Sequence, residues 1–180
     1  MILKEQFFPT TLYGKDLQLD NKLFEEEILQ WRREDPVGLI KTNMGGWHSQ
    51  TNLHTRPTFK PLVDEVYKMQ REVYEEEWLD REPILGNMWA NVNEPGGYNR
   101  PHVHPNSLFS GCYYVKTSPN CGEFVANDPR PGGKRALRLS KKRTANRNAW
   151  CENLGLPPTA CRWGTRSEST VSQRCLLWTS

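Results

Sequence analysis

Two histidines one residue apart, His102 and His104, sit inside the run Pro101-His-Val-His-Pro-Asn-Ser-Leu-Phe-Ser-Gly-Cys-Tyr-Tyr-Val115, and no other stretch constrains this chain as much. Side chains at i and i+2 of an extended segment share a face, so a single strand aims both imidazoles at one point. Neutral imidazole is a common ligand for iron, zinc, copper or nickel and suits magnesium or calcium poorly. His102 and His104 are therefore candidate metal ligands. The same spacing is common in unrelated proteins, and the competing reading is a structural or surface pair.

The flanks favour a sheet around the pair. Asn87 to Asn93 partly alternates apolar and polar residues, and Glu94-Pro-Gly-Gly-Tyr-Asn99 carries turn chemistry. The histidines follow. Ser110 to Lys116 is aromatic and β-rich, Ser118 to Gly122 reads as a turn, and Gly122 to Asn127 as another short strand ending at Asp128-Pro-Arg130. Closely spaced antiparallel strands with a metal at one mouth describe a small jelly-roll barrel.

Two helices are expected ahead of these strands. Asp20 caps one running to about Glu34, with Phe24, Ile28 and Trp31 on one face. Thr58 caps a second from Phe59 to about Leu79, with Leu62, Val66, Met69 and Val73 as the buried stripe and Pro61 in the first turn. The acidic runs Glu25 to Glu27 and Glu75 to Glu77 read as solvated helix faces. Between the helices, Gly45 and Gly46 of Thr42 to Gln50 suggest a loop projecting Trp47, His48 and Gln50 toward a site entrance. His54, beside Arg56 and Pro57, reads as a surface residue.

From Trp89 to Arg130 the chain combines Trp-x-Asn, the core Gly-Tyr-Asn-Arg-Pro-His-x-His-Pro-Asn-Ser, Ser-Gly-x-Tyr-Tyr-Val and a closing Asp-Pro-Arg. This set resembles the 2-oxoglutarate and iron(II)-dependent oxygenases related to prolyl hydroxylases. Phe8-Pro9 and Thr42 to Gln50 resemble the lead-in of that family, so the likeness covers about residues 7 to 130. The resemblance implies a mainly β fold with N-terminal helices, a cupin-like double-stranded β-helix. It also implies iron(II) held by two histidines and usually one carboxylate, with 2-oxoglutarate chelating the metal. His102 matches the first ligand, and His104 falls where the wider superfamily often has an aspartate. The remaining ligand is then a third histidine, or Asp128 from a neighbouring strand, which ranks low. Tyr114 becomes a candidate for hydrogen-bonding 2-oxoglutarate, with Tyr113 packing on the opposite side; the alternative makes both tyrosines core or interface aromatics. The substrate would be a small molecule or a peptidyl residue, and no motif here names it.

The family pattern also calls for a later histidine followed nine or ten residues on by an arginine for the far carboxylate of 2-oxoglutarate. The chain's histidines are His48, His54, His102 and His104, so nothing after residue 104 supplies that imidazole. Residues 133–180 hold ten Lys or Arg against two acids, whereas residues 1–132 hold fourteen against nineteen, so a body of −5 carries a tail of +8. The tail has no Ile, Phe, Tyr, Met or Asp and shows neither strand alternation nor a helical stripe. The expected organisation is a partial β-helix domain over 1–132 and a basic, poorly ordered tail over 133–180.

A reading-frame shift near Pro131 to Gly133 explains that change. When codons are read one base early, Thr159 permits His, Cys161 requires Val, Leu or Met, and Trp163 requires the same. Gly164 is forced to remain Gly, Thr165 permits Asn, Glu168 permits Arg, Ser169 permits Ile or Val, and Thr170 permits Asn. The hidden reading His-Gly-Val-x-Val-Gly-Asn-x-x-Arg-Ile-Asn has the missing histidine with its arginine nine residues later. The encoded polypeptide, lacking both, is expected to have negligible oxygenase activity. Bare strand edges and apolar faces at Phe109, Val115 and Phe124 are expected to follow from the lost strands.

Two other functions compete. The same barrel hosts metal proteins of other chemistry, such as isomerases or zinc hydrolases. The cluster Lys134, Arg135, Arg138, Lys141, Lys142, Arg143 and Arg147 could bind nucleic-acid phosphates, although no aromatic platform or groove-reading motif accompanies it. No apolar run approaches the roughly 20 residues of a membrane span, and Met1-Ile-Leu-Lys-Glu lacks a signal-peptide pattern, so the expected compartment is the cytoplasm. Cys112, Cys121, Cys151, Cys161 and Cys175 are odd in number without a CxxC, which supports neither a disulfide framework nor a zinc knuckle.

Overall fold

The computed structural model describes residues 11–118, Cys121, residues 124–127, and the backbone of residues 136–139 and 174–179. Phe8-Pro9, Asp128-Pro-Arg130 and all but those two stretches of the tail lie outside the described residues, as do the side chains of the basic cluster and of Cys151, Cys161 and Cys175. The chain divides into two units, one of residues 1–117 with 171–180 and the other of residues 118–170.

The first unit opens with β1 (Leu12–Asp16) and α1 (Asn21–Glu34). Asp20 caps α1 as expected, its carboxylate accepting from the amides of Lys22 and Leu23 at 3.1 and 3.2 Å. The i, i+4, i+7 spacing of Phe24, Ile28 and Trp31 buries one face of the helix. The second helix, α2 (Lys60–Glu76), buries Leu62, Val66, Met69 and Val73 as expected, together with Gln70. Its start differs from the sequence reading: Thr58 belongs to a 3-10 turn over Pro57–Phe59, and Phe59 occupies the cap position with no side-chain bond. The Thr58 hydroxyl is directed instead to Glu27 of α1, at 3.4 Å.

Thr42 to Gln50 is largely a strand and not a projecting loop. Here β2 (Asn43–His48) pairs antiparallel with β3 (Asn91–Asn99). The expected turn Glu94 to Asn99 falls inside β3, where it becomes an irregularity in the ladder. Met44 pairs with Tyr98 and Gly46 with Asn93, so Gly45 alone stands opposite four residues, Glu94 to Gly97. Gly45 and Gly96 adopt positive φ, 67° and 82°, and a Cβ on Gly97 would lie 2.6 Å from the Gly45 carbonyl oxygen. The Pro-Gly-Gly chemistry therefore bends a continuous strand pair without ending it.

β4 (Phe109–Tyr113) pairs with β7 (Arg174–Thr179), which pairs in turn with β1, giving the antiparallel order β1-β7-β4. The edge of β4 that was expected to be bare is thus paired by backbone from the tail. Phe109 and Val115 are also packed against the core, with Phe109 5.8 Å from the Tyr74 ring, so neither is an uncovered apolar face. That core comprises Leu17, Phe24, Trp31, Trp47, Leu53, Phe59, Leu62 and Met69 with their neighbours, and Phe24 stacks on Phe59 at 5.0 Å.

The second unit holds a hairpin of β5 (Phe124–Asn127) and β6 (Ala136–Leu139). Ahead of it, the amide of Cys121 donates to the Ser118 carbonyl at 3.2 Å, while the rest of the expected turn from Ser118 to Gly122 lies outside the described residues. The described residues are mainly strands with few helices, in sheets of three, two and two strands, and these do not close a barrel. Among them no helix is long and apolar enough to cross a membrane.

Candidate metal centre

His102 and His104 lie outside any ladder, in the connection between β3 and β4. Their i, i+2 rings nevertheless lie together. The Nε2 atoms face each other at 2.9 Å, with ring centroids 4.9 Å apart and 28° between planes.

Both ends of this segment are fixed by local chemistry. The amide of Arg100 donates to the Thr42 carbonyl at 2.9 Å, continuing the β2 and β3 pairing by one bond. Beyond the pair, His104-Pro-Asn-Ser107 forms a tight turn. Proline presets the second position, Asn106 takes φ 67° at the third, and the Ser107 amide returns to the His104 carbonyl at 3.3 Å. The Pro-Asn-Ser that follows the histidines is thus the turn that aims the chain into β4.

Nδ1 of His102 stands 2.7 Å from the Arg100 carbonyl oxygen. A carbonyl only accepts, so His102 Nδ1 carries the hydrogen, and in that tautomer His102 Nε2 accepts from the Nε2–H of His104. Backbone carbonyls commonly orient metal-ligating histidines in this way. Burial first, and then the neighbouring His102, lower the pKa of His104, which favours its neutral form. With metal to nitrogen bonds of about 2.1 Å, two ligands at right angles stand about 3.0 Å apart. The observed 2.9 Å is a hydrogen bond that has the same length, and both Nε2 atoms would ligate one cation only after His104 gives up its Nε2 hydrogen.

The set stops there. No group of three or more His, Cys, Asp or Glu able to hold a metal occurs among the described residues. Asp128, the low-ranked carboxylate candidate, lies outside them. The described residues therefore offer two candidate ligands and no third.

Tyr114 and Tyr113 take opposite roles. The Tyr113 hydroxyl donates to Asn21 Oδ1 at 2.6 Å and its ring meets Phe24 edge-on at 6.5 Å, so it packs on α1 as expected. Tyr114 hydrogen-bonds the side chain of Cys112, a bond that partly offsets the upward push of burial on that thiol.

Sequence reasoning missed Trp89 as a part of this region. Its ring stacks on His48 at 5.3 Å and turns an edge to His104 at 5.6 Å. His48 itself is buried, with Nδ1 2.6 Å from the Ser49 carbonyl oxygen, because β2 carries it inward. The available signal was the spacing of Trp89 before the histidines in the quoted motif, which says nothing of a ring contact. His54 is half-buried, not a surface residue, and its Nδ1 has no hydrogen-bond partner.

Residues 87–160 match the family model described as "Putative 2OG-Fe(II) oxygenase". The chain carries a 2OG-Fe(II) oxygenase-like segment. That segment contains Trp89, both histidines and Tyr114, and it runs past residue 130, where the motifs quoted from the sequence end, into the basic tail. No curated protein and no solved structure matches the chain.

Proposed function

We propose that this chain is a metal-binding relative of the iron(II) and 2-oxoglutarate-dependent oxygenases that lacks oxygenase turnover, its strands deriving from a double-stranded β-helix. The observation that supports the metal reading is that the two rings meet at their Nε2 atoms, hydrogen-bonded at 2.9 Å, so a cation replacing that one hydrogen would meet both. The loss of turnover rests on the donor set: no histidine follows residue 104, and no third ligand joins the pair among the described residues. In a complete family site, iron(II) with 2-oxoglutarate supplies oxygen activation. Here His102 and His104 hold a cation loosely, since two ligands give neither a closed geometry nor its affinity. Tyr114 is the residue proposed to meet 2-oxoglutarate.

The test has separate arms. Calorimetric titration with Ni(II), an oxygen-stable stand-in for iron(II), should show binding that His102→Ala and His104→Ala abolish. The purified chain given iron(II), 2-oxoglutarate and oxygen should form no succinate above the metal-only background. Succinate formation at enzyme rates would overturn the loss of turnover; absence of Ni(II) binding would overturn the metal site. The frame-shift origin of the tail is tested by the gene: an early frame without a His codon across Thr159 removes it.

A further inference from the structure

Trp89 stands on backbone that is tied down on both sides. The amide and carbonyl of Met88 bond to the Thr51 carbonyl and the Leu53 amide at 3.1 and 3.0 Å. Those of Ala90 bond to the Ser49 hydroxyl oxygen and the Ser49 amide at 2.9 and 3.0 Å. Ser49 is fully buried, and both Met88 and Ala90 pack into the core. The indole is therefore fixed at its root. Its ring is backed by the buried imidazole of His48, which β2 holds opposite Asn91 in the ladder.

His104 is the ring that this platform meets. Every other residue from 101 to 108 is exposed, whereas His104 is half-buried. Its ring lies 5.6 Å from the indole with 60° between planes, the edge-to-face arrangement that aromatic quadrupoles favour. From there it reaches the Nε2 of His102 at 2.9 Å.

We infer that Trp89, backed by His48, is a positioning residue for the histidine pair, holding the His104 ring where its Nε2 meets that of His102. Trp89 touches no cation itself. The consequence for binding rests on the metal reading above: a cation would meet two imidazoles already brought together and would not have to gather them, so less side-chain freedom is lost on binding. Groups that orient metal ligands from behind typically contribute roughly ten- to a hundredfold in affinity.

The positioning is tested without metal, by nitrogen-15 NMR of the full chain with labelled histidine above the imidazole titration range. The wild type should show Overhauser contacts between the Trp89 indole and the His104 ring, and a single tautomer at each of His102 and His104. Trp89→Ala should give averaged Nδ1 and Nε2 signals at His104, while Trp89→Phe, which keeps an aromatic ring, should retain the single tautomer. In calorimetry with NiCl2, Trp89→Ala should bind about tenfold more weakly and Trp89→Phe within about twofold of wild type, with circular dichroism unchanged in both. Wild-type tautomers and nickel affinity in Trp89→Ala would overturn the inference by showing that other contacts hold His104, and equal losses in both variants would overturn the ring contact as the cause. Absence of the indole to imidazole Overhauser contact in the wild type would also overturn it, and decides the matter should the alanine variant not fold. A wild-type chain with the contact and the single tautomers that binds no nickel would overturn the metal reading and leave the positioning of His104 standing.

Discussion

The indole of Trp89 lies nearly flat on the imidazole of His48, 5.3 Å between centroids and 13° between planes. It meets His104 edge-on at 5.6 Å on its other contact. A half-buried fluorophore is thereby held one ring away from the candidate ligands. Cu(II) bound at the pair should quench Trp89 at this range. We expect copper to lower the emission of the wild type far more than that of Trp89→Phe, and to have no stoichiometric effect on His102→Ala. The chain has seven tryptophans, so the difference between the two titrations isolates Trp89. Equal quenching in wild type and Trp89→Phe would place the metal elsewhere.

Arg56, just ahead of the Pro57–Phe59 turn, is tied to α1 through its guanidinium. It stacks over the Trp31 ring at 3.8 Å and pairs with Glu27 at 2.5 Å, both charged side chains being about 70 % covered. Lysine keeps the charge but loses the planar stack. Arg56→Lys should cost about 1 kcal/mol and Arg56→Ala about 2 kcal/mol, the latter leaving Glu27 without its partner. Urea unfolding at constant m-value reads both, and an alanine variant as stable as wild type would show the pair to be ornamental.

The irregular β2 and β3 ladder makes a steric prediction. A Cβ on Gly97 would come within 2.6 Å of the Gly45 backbone oxygen, whereas one on Gly86 would meet nothing within 4 Å. Gly97→Ala should destabilise by about 1–3 kcal/mol and Gly86→Ala by less than about 0.5 kcal/mol. Because Arg100 hangs from the end of the same ladder, Gly97→Ala should also weaken nickel binding at His102. Thermal unfolding and nickel titration of the two variants check this, and equal behaviour would show that the ladder does not position the pair.

What could be read from the sequence follows the range of the interactions. Asp20 and the stripes Phe24, Ile28, Trp31 and Leu62, Val66, Met69, Val73 were legible because a cap and a helical period are local patterns. The histidine pair was legible for the same reason, its i, i+2 geometry needing only an extended backbone. Pro95, Gly96 and Gly97 misled, because residues that terminate a strand in isolation also build a bulge when a partner strand arrives from fifty residues upstream. Thr58 misled because a long-range acceptor, Glu27, competed with the helix amide. The contacts of Trp89 with His48 and His104 join β2 to the ligand segment, and no local pattern encodes them.

The two cysteines described with side chains give opposite reactivities. Burial pushes the Cys112 thiol from 9.0 up to about 11, with the bond to Tyr114 opposing the shift, whereas Cys121 is exposed. Thiolate is the nucleophile, so below pH 9 Cys112 should hold roughly a hundredfold less of it than an ordinary thiol. A folded pKa above the unfolded one also means that stability is fully present below about pH 9 and is lost as pH rises toward about 11. Iodoacetamide at pH 8 followed by peptide mass mapping should therefore label Cys121 long before Cys112. Raising the pH to 10 should narrow that gap and lower the urea midpoint, and Cys112→Ala should lose part of the pH dependence. Labelling of Cys112 as fast as Cys121 at pH 8 would contradict the covering of its thiol in β4.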